Sequence, residues 1–169
     1  MPELNGLKVV RSKIHGYGVV TLRPFKAGEI VVYGDGVLYH EDDEFDDTYA
    51  LVYSDDEDPN GEVCRYLDLA DQTRWINHAC NPNTEVDTGI NPRTGMPYAW
   101  WTALRDIPAG EELTYDYAFC GHLAEPCNCK DPTCLGLIVD PEDLDRVPQE
   151  LRHYLMPERL PARLAAAGY

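Results

Sequence analysis

Three cysteines stand within eight residues, Cys127, Cys129 and Cys134 in the pattern C-x-C-x4-C, and nothing else in the chain so narrows what it can fold into. Thiolates this close in sequence suit one tetrahedral Zn²⁺ site. The residues between them include Asn128, Lys130 and Asp131, too polar for three thiols packed in a core. Three ligands leave one position, for which Cys64, Cys80, Cys120 and the histidines are all candidates, and spacing alone does not choose. A site closed by protein ligands contributes folding free energy rather than activating water. The other use of cysteine, a disulfide framework, needs an oxidising compartment. The opening Met1-Pro2-Glu3-Leu4-Asn5-Gly6 lacks the basic and apolar regions of a secretory signal, so the reading is of reduced thiols in a cytoplasmic protein, or a nuclear one in a eukaryote. No apolar run approaches the ~18 residues that cross a bilayer, so no membrane is expected.

Charge narrows the partners. Fourteen Lys and Arg against 30 Asp and Glu give a net charge of −16, which opposes direct binding to nucleic acid and favours a basic protein or peptide. Residues 40–62 hold eleven of the acids and no Lys or Arg. Glu41–Asp47 or Asp55–Asp58 is expected to steer a basic substrate, the alternative being a solvated loop.

Length predicts one domain. Leu7–Val10, Val19–Leu22, Glu29–Tyr33, Val37–Tyr39, Tyr98–Arg105 and Glu112–Tyr117 read as short strands separated by turn residues. A short helix is expected somewhere in 65–76, and Asn77–Asn83 is polar and turn-rich, an ordered functional loop. Leu151, Tyr154 and Leu155 fall at helical spacing, predicting an amphipathic helix over Pro148–Met156.

Three separated motifs then act together: Arg74-Trp75-Ile76-Asn77-His78-Ala79-Cys80-Asn81-Pro82-Asn83, Gly110-Glu111-Glu112-Leu113-Thr114-Tyr115-Asp116-Tyr117, and the cysteine trio. In order and spacing they resemble the SET-domain protein lysine methyltransferases with a cysteine-rich post-SET segment, and His15-Gly16-Tyr17-Gly18 resembles that family's G-x-G opening. The resemblance implies a mainly β fold of small curved sheets with a pseudoknot in which the segments at 77–78 and 113–117 cross. It implies a catalytic domain over 1–119 carrying the acidic insert 40–62, a zinc-stapled segment over 120–138 and a C-terminal helical tail over 139–169. The fourth zinc ligand would be Cys80, joining Cys127, Cys129 and Cys134.

The activity implied is S-adenosylmethionine-dependent methylation of lysine in a basic substrate, a histone-like tail or a ribosomal protein. Tyr117 would be the catalytic tyrosine, and Tyr115 would occupy the position whose hydroxyl limits added methyls, implying mono- or dimethylation. Gly16, Tyr17, Gly18, Asn77, His78 and Tyr117 would hold the cofactor, and Tyr33 is a candidate for the substrate channel. The sequence departs from the family pattern at Trp75, Ala79, Lys130 and Leu135, the last two standing where a Gly and an Arg are usual. A catalytically silent module binding basic or methyl-lysine peptides is the alternative. The oligomeric state is left open.

Overall fold

The computed structural model describes residues 5–40, 42–53 and 65–167. A hairpin of β1 (Leu7–Arg11) and β2 (Tyr17–Thr21) precedes a five-stranded sheet. That sheet comprises β3 (Ile30–His40), β4 (Ala50–Tyr53), β5 (Arg65–Leu69), β7 (Thr84–Ile90) and β8 (Pro97–Ala103) in the order β4-β5-β3-β8-β7, all antiparallel. The two-residue strands β6 (Asn77–His78) and β9 (Thr114–Tyr115) pair in parallel, the crossing the resemblance implied. Beyond them lie β10 (Glu125–Pro126), β11 (Leu137–Ile138) and the helix α1 (Leu160–Ala167). The fold is mainly β, as expected, with small sheets and, among the described residues, one short α-helix near the C-terminal end.

Alternation along β8 shows why the sheet has an inside. Ala99, Trp101 and Ala103 are buried, while Tyr98, Trp100 and Thr102 between them are only half-buried. Trp101 packs in one apolar core with Leu7, Val19, Phe25, Leu67, Leu69, Ile76, Leu113 and Tyr115. A second core gathers Ala124, Leu135, Leu137, Val139 and Val147 with Leu144, Leu151, Leu155 and Leu160. The cysteine segment and the C-terminal tail therefore share one interior. Leu135, where the family has Arg, is 1% exposed in it, so the tail explains that departure.

Several local expectations change. The strands expected at Glu29–Tyr33 and Val37–Tyr39 are one strand, β3, which starts at Ile30 and runs through Gly34 without a turn. A side chain there would stand 2.6 Å from Thr73 Oγ1, so glycine serves close packing under Trp101. Residues 65–76 form β5 and then a 3₁₀ turn over Gln72–Trp75, with Asp71 Oδ1 accepting from Thr73 N at 2.8 Å. Strands β4 and β7 lie outside the segments expected as strands. Glu112–Tyr117 is a strand only at β9, with Glu112 bridged to Val20.

The helix expected over Pro148–Met156 is instead a 3₁₀ turn at Gln149–Tyr154. The N–H of Met156, which a continuing α-helix would spend on its own preceding turn, donates to Leu135 O at 2.9 Å. Tertiary packing takes the bond, and the α-helix forms only after Pro157, at α1.

Candidate active site

The crossing is locked by a side chain. Thr114 N donates to Asn83 Oδ1 at 2.9 Å, and Asn83 Nδ2 donates to Glu112 O at 2.8 Å, so one carboxamide serves the backbone as an adjacent strand would. Thr84 Oγ1 donates to Thr114 O at 2.8 Å. These bonds bring residues 76–78 against 114–117, as the resemblance implies.

At the junction Tyr117 Oη donates to Ile76 O at 2.9 Å, and Tyr117 N donates to His78 Nδ1 at 3.2 Å. The Tyr117 ring lies 4.7 Å from Tyr115, 5.5 Å from Phe119 and 5.4 Å from His78, and Trp101 meets Tyr115 edge-on at 5.9 Å. Burial pushes both phenols above their ordinary range, with Tyr49 adding to the effect at Tyr117 and Tyr117 to that at Tyr115. Both rings are neutral hydrogen-bonding groups rather than bases. Tyr49, just before β4 and with the Arg74 guanidinium 5.5 Å over its ring, is a site residue that motif reasoning missed. It lies in the insert, where only its aromatic character marked it.

Asn77 is buried, and its Nδ2 is engaged within the protein. Nδ2 reaches Tyr17 O at 2.7 Å, His15 O at 3.2 Å and Glu112 Oε1 at 2.9 Å. Its side chain therefore shapes the loop at 15–17, leaving backbone groups to face any ligand. Ser12 Oγ donates to the same Glu112 oxygen at 2.7 Å, and a side chain at Gly18 would stand 2.2 Å from it. Gly16 has open space where its side chain would be, and Tyr17 is exposed, its ring 5.7 Å from Trp75. Tyr33 is not brought here: it is 56% exposed on the outer face of the sheet, stacked on Tyr98 at 5.9 Å. Period-two alternation puts it on the side of β3 opposite Trp101.

The thiols converge. The donor atoms of His78, Cys80, Cys127 and Cys129 lie within 4.8 Å of one another, and Cys134 interacts with the thiols of Cys80, Cys127 and Cys129. Cys80 Sγ and Cys127 Sγ are 3.9 Å apart. Tetrahedral Zn–S bonds of about 2.3 Å imply thiolates about 3.8 Å apart, so the donor set fits zinc. Backbone N–H groups of Cys129 and Gly136 point at Cys127 Sγ and Cys134 Sγ, at 3.5 and 3.2 Å. Hydrogen bonds among the thiols hold Cys129 down and Cys134 down to about 7, and push Cys80 and Cys127 up, as in a cluster that concentrates negative charge.

The group within 4.8 Å includes His78, which the resemblance does not name as a ligand, and not Cys134, which it does. Burial keeps His78 below its ordinary range and neutral, with its Nδ1 accepting from Tyr117 N. The ring proton is then on Nε2, which donates to Cys80 Sγ at 3.3 Å rather than offering a lone pair. Cys64 lies outside the described residues, and Cys120 is exposed.

Asp116, between the two tyrosines, pairs with Arg163 of α1, and its Oδ1 stands 3.4 Å from His78 Nδ1. The acidic insert is described only in part. Asp42, Asp43, Glu44, Asp46 and Asp47 are exposed, whereas Glu41 and Asp55–Asp58 lie outside the described residues.

Residues 16–118 match the SET domain, and the chain belongs to that family. Among curated relatives, the histone-lysine N-methyltransferase ash1 of Drosophila melanogaster is 32% identical over 136 residues, 73% of this chain and 6% of the relative. The H3 lysine-4 specific histone-lysine N-methyltransferase of Yarrowia lipolytica is 31% identical over 147 residues, 78% of this chain and 12% of its own length. Human histone-lysine N-methyltransferase 2B is 34% identical over 140 residues, covering 75% of this chain and 5% of that protein. The chain thus spans a small fraction of the relatives it matches. The Arabidopsis thaliana SUVH6 structure in complex with SAM superposes with a TM-score of 0.64 at 21% identity, covering 78% of this chain and 33% of that one. Among the described residues no helix is long and apolar enough to cross a membrane.

Proposed function

We propose that this chain is the catalytic unit of an S-adenosylmethionine-dependent protein-lysine methyltransferase acting on a basic protein. The observation that carries the reading is the Tyr117–Ile76 hydrogen bond at the β6/β9 crossing, which places a neutral phenol among aromatic rings beside Asn77-His78. Because that hydroxyl spends its proton on Ile76 O, its lone pairs are left to accept from a target amine and aim its nitrogen. Rings at Tyr115, Tyr117 and Phe119 supply apolar surface around that hydroxyl, with Trp101 packed in the core behind Tyr115. Lysine ordinarily titrates near ~10.4, and desolvation against such surface favours its neutral, nucleophilic form. S-adenosylmethionine supplies a methyl on a sulfonium: the N–C bond forms as the C–S bond breaks, sulfur keeps the electron pair, and the amine's proton goes to water. Positioning is then most of the work left to the protein.

Gly16, Tyr17 and Gly18, with the backbone of Asn77 and His78, are proposed to hold the cofactor. The hydroxyl of Tyr115 is proposed to limit the methylation state to one or two. Cys80, Cys127, Cys129 and Cys134 are proposed to hold one structural Zn²⁺, which would fasten 120–138 to the crossing. The division into 1–119, 120–138 and 139–169 is part of the same reading. Asp42–Asp47 is proposed to steer a histone-like or ribosomal substrate, with the protein residing where that substrate does.

The test is transfer of labelled methyl from S-adenosylmethionine to histones and ribosomal proteins, located by mass spectrometry, beside Tyr117→Phe. Label on a lysine side chain that is lost in the variant supports the reading. Cofactor binding by neither protein would replace it with the silent peptide-binding module.

A further inference from the structure

The helix α1 lies outside the family-matching segment, yet it delivers a buried cation to the residue between the two tyrosines. Arg163 is 2% exposed, and the partner the structure gives it is Asp116 Oδ2. We propose that Arg163 is a positioning residue for Tyr115 and Tyr117, so that the C-terminal helix is a working part of the active site. The inference rests on the proposed roles of those tyrosines and adds a residue to them.

Two observations and one general principle carry it. Asp116 follows β9, and its Oδ1 accepts from Ala118 N at 3.2 Å. Ala118 has a φ of +45°, a left-handed conformation that a non-glycine residue adopts only when its surroundings hold it there. One carboxylate thus holds the turn after Tyr117, and Arg163 holds the carboxylate. The helix is itself fixed from elsewhere: Met156 N donates to Leu135 O at 2.9 Å, Arg159 Nη1 to Cys134 O at 3.2 Å, and Leu160 packs on the second core. The position of the cysteine segment is thereby transmitted to the catalytic turn through one guanidinium. Finally, a buried ion pair is a weak source of stability compared with apolar side chains of similar volume, and its best use is to specify a geometry.

The experiment uses the full chain with Arg163→Met, Asp116→Asn and the double variant. Kinetics, melting and amide hydrogen exchange over 116–119 are read for each. Arg163→Met is expected to lower kcat about tenfold or more, with KM for cofactor and peptide within about twofold, and to speed exchange over 116–119 while that of β3 and β8 is unchanged. The double variant removes the unpaired carboxylate, so it should regain melting temperature yet keep the low kcat and fast exchange. Recovery of kcat in the double variant, or lowered melting with kcat and exchange unchanged in the single one, overturns the proposal. If Arg163→Met fails to fold, Asp116→Asn carries the same readouts, since it keeps the shape and an acceptor oxygen. If the wild-type chain transfers no methyl, faster exchange still supports positioning while the activity reading fails, and unchanged exchange overturns positioning itself.

Discussion

Tyr117 donates its hydroxyl proton to the carbonyl oxygen of Ile76, 2.9 Å away and 41 positions earlier in the chain. The bond ties the two signature motifs together at the atom proposed to meet the substrate. Tyr117→Phe keeps the ring contacts and deletes only that oxygen. Loss of one such bond costs about 1 kcal/mol of stability, whereas kcat should fall by about a hundredfold or more, with cofactor affinity nearly unchanged. Calorimetry and steady-state kinetics on the same preparation separate the two effects. A fall in cofactor affinity matching the loss of rate would move Tyr117 from orienting substrate to binding cofactor.

Burial raises the folded phenol pKa of Tyr115 and Tyr117, while in the unfolded chain both titrate near ~10. Below that pH neither state loses the proton and their contribution to stability is full. As pH rises past ~10 the unfolded chain releases protons that the folded chain keeps, so stability falls. Melting temperature should therefore drop more steeply above about pH 10 than below it, and Tyr115→Phe should lessen that drop. An unchanged slope would mean these phenols are not the groups responsible.

The parts of this architecture that were legible in sequence are those where function or chemistry fixes side-chain identity. The resemblance carried by the motifs around Asn77-His78 and Tyr115–Tyr117 implied their juxtaposition, and the structure pairs Asn77 with Thr114 and His78 with Tyr115. The cysteine trio announced a cluster by its spacing. What stayed hidden was tertiary. In β7 the β-branched Thr84, Val86, Thr88 and Ile90 alternate with Glu85, Asp87 and Gly89, a strand signal that the acids and glycine between them obscured until pairing with β8 showed it. The helix signal at 148–156 was real, but the Met156–Leu135 hydrogen bond overrode it. Arg163 reads as a surface cation of an eight-residue helix until Asp116 is found beside it.

The thiol cluster predicts one zinc per chain, released by acid or by a strong chelator, with Cys134→Ser and Cys80→Ser each abolishing stoichiometric binding. Removal should lower the melting temperature and expose the 124–160 core to protease, since that core contains Leu135 beside Cys134. Metal analysis and limited proteolysis check both halves. Full zinc in Cys134→Ser would promote His78 to ligand and overturn its assignment as a donor to Cys80.

Exposed acids at Asp42, Asp43, Glu44, Asp46 and Asp47 face solvent with no described base among them. Replacing them by Asn and Gln should raise KM for a basic peptide severalfold, leave kcat alone and flatten the dependence of KM on salt. Asp43 and Asp46 also accept from His40 N and Thr48 N at 2.7 and 3.1 Å, bonds that Asn can keep. Unchanged kinetics would leave these residues as a solvated loop.

Two backbone positions in the cysteine segment should respond in opposite directions. Gly136 has a φ of +85°, and a side chain there would stand 2.0 Å from the carbonyl oxygen of Tyr154, a backbone atom that cannot swing aside. Gly136→Ala must therefore separate the segment from the tail, and a loss of about 2–4 kcal/mol is expected, the scale of a backbone strain added to a core disruption. Lys130 has a φ of +60°, the left-handed region, at the place where the family's pattern has glycine. Lys130→Gly relieves about 1 kcal/mol of strain, partly offset by the greater entropy of glycine in the unfolded chain. A small net stabilisation is expected in denaturant melts of the zinc-loaded protein. A clear loss there would mean that the lysine side chain contributes a contact outweighing the strain of its backbone.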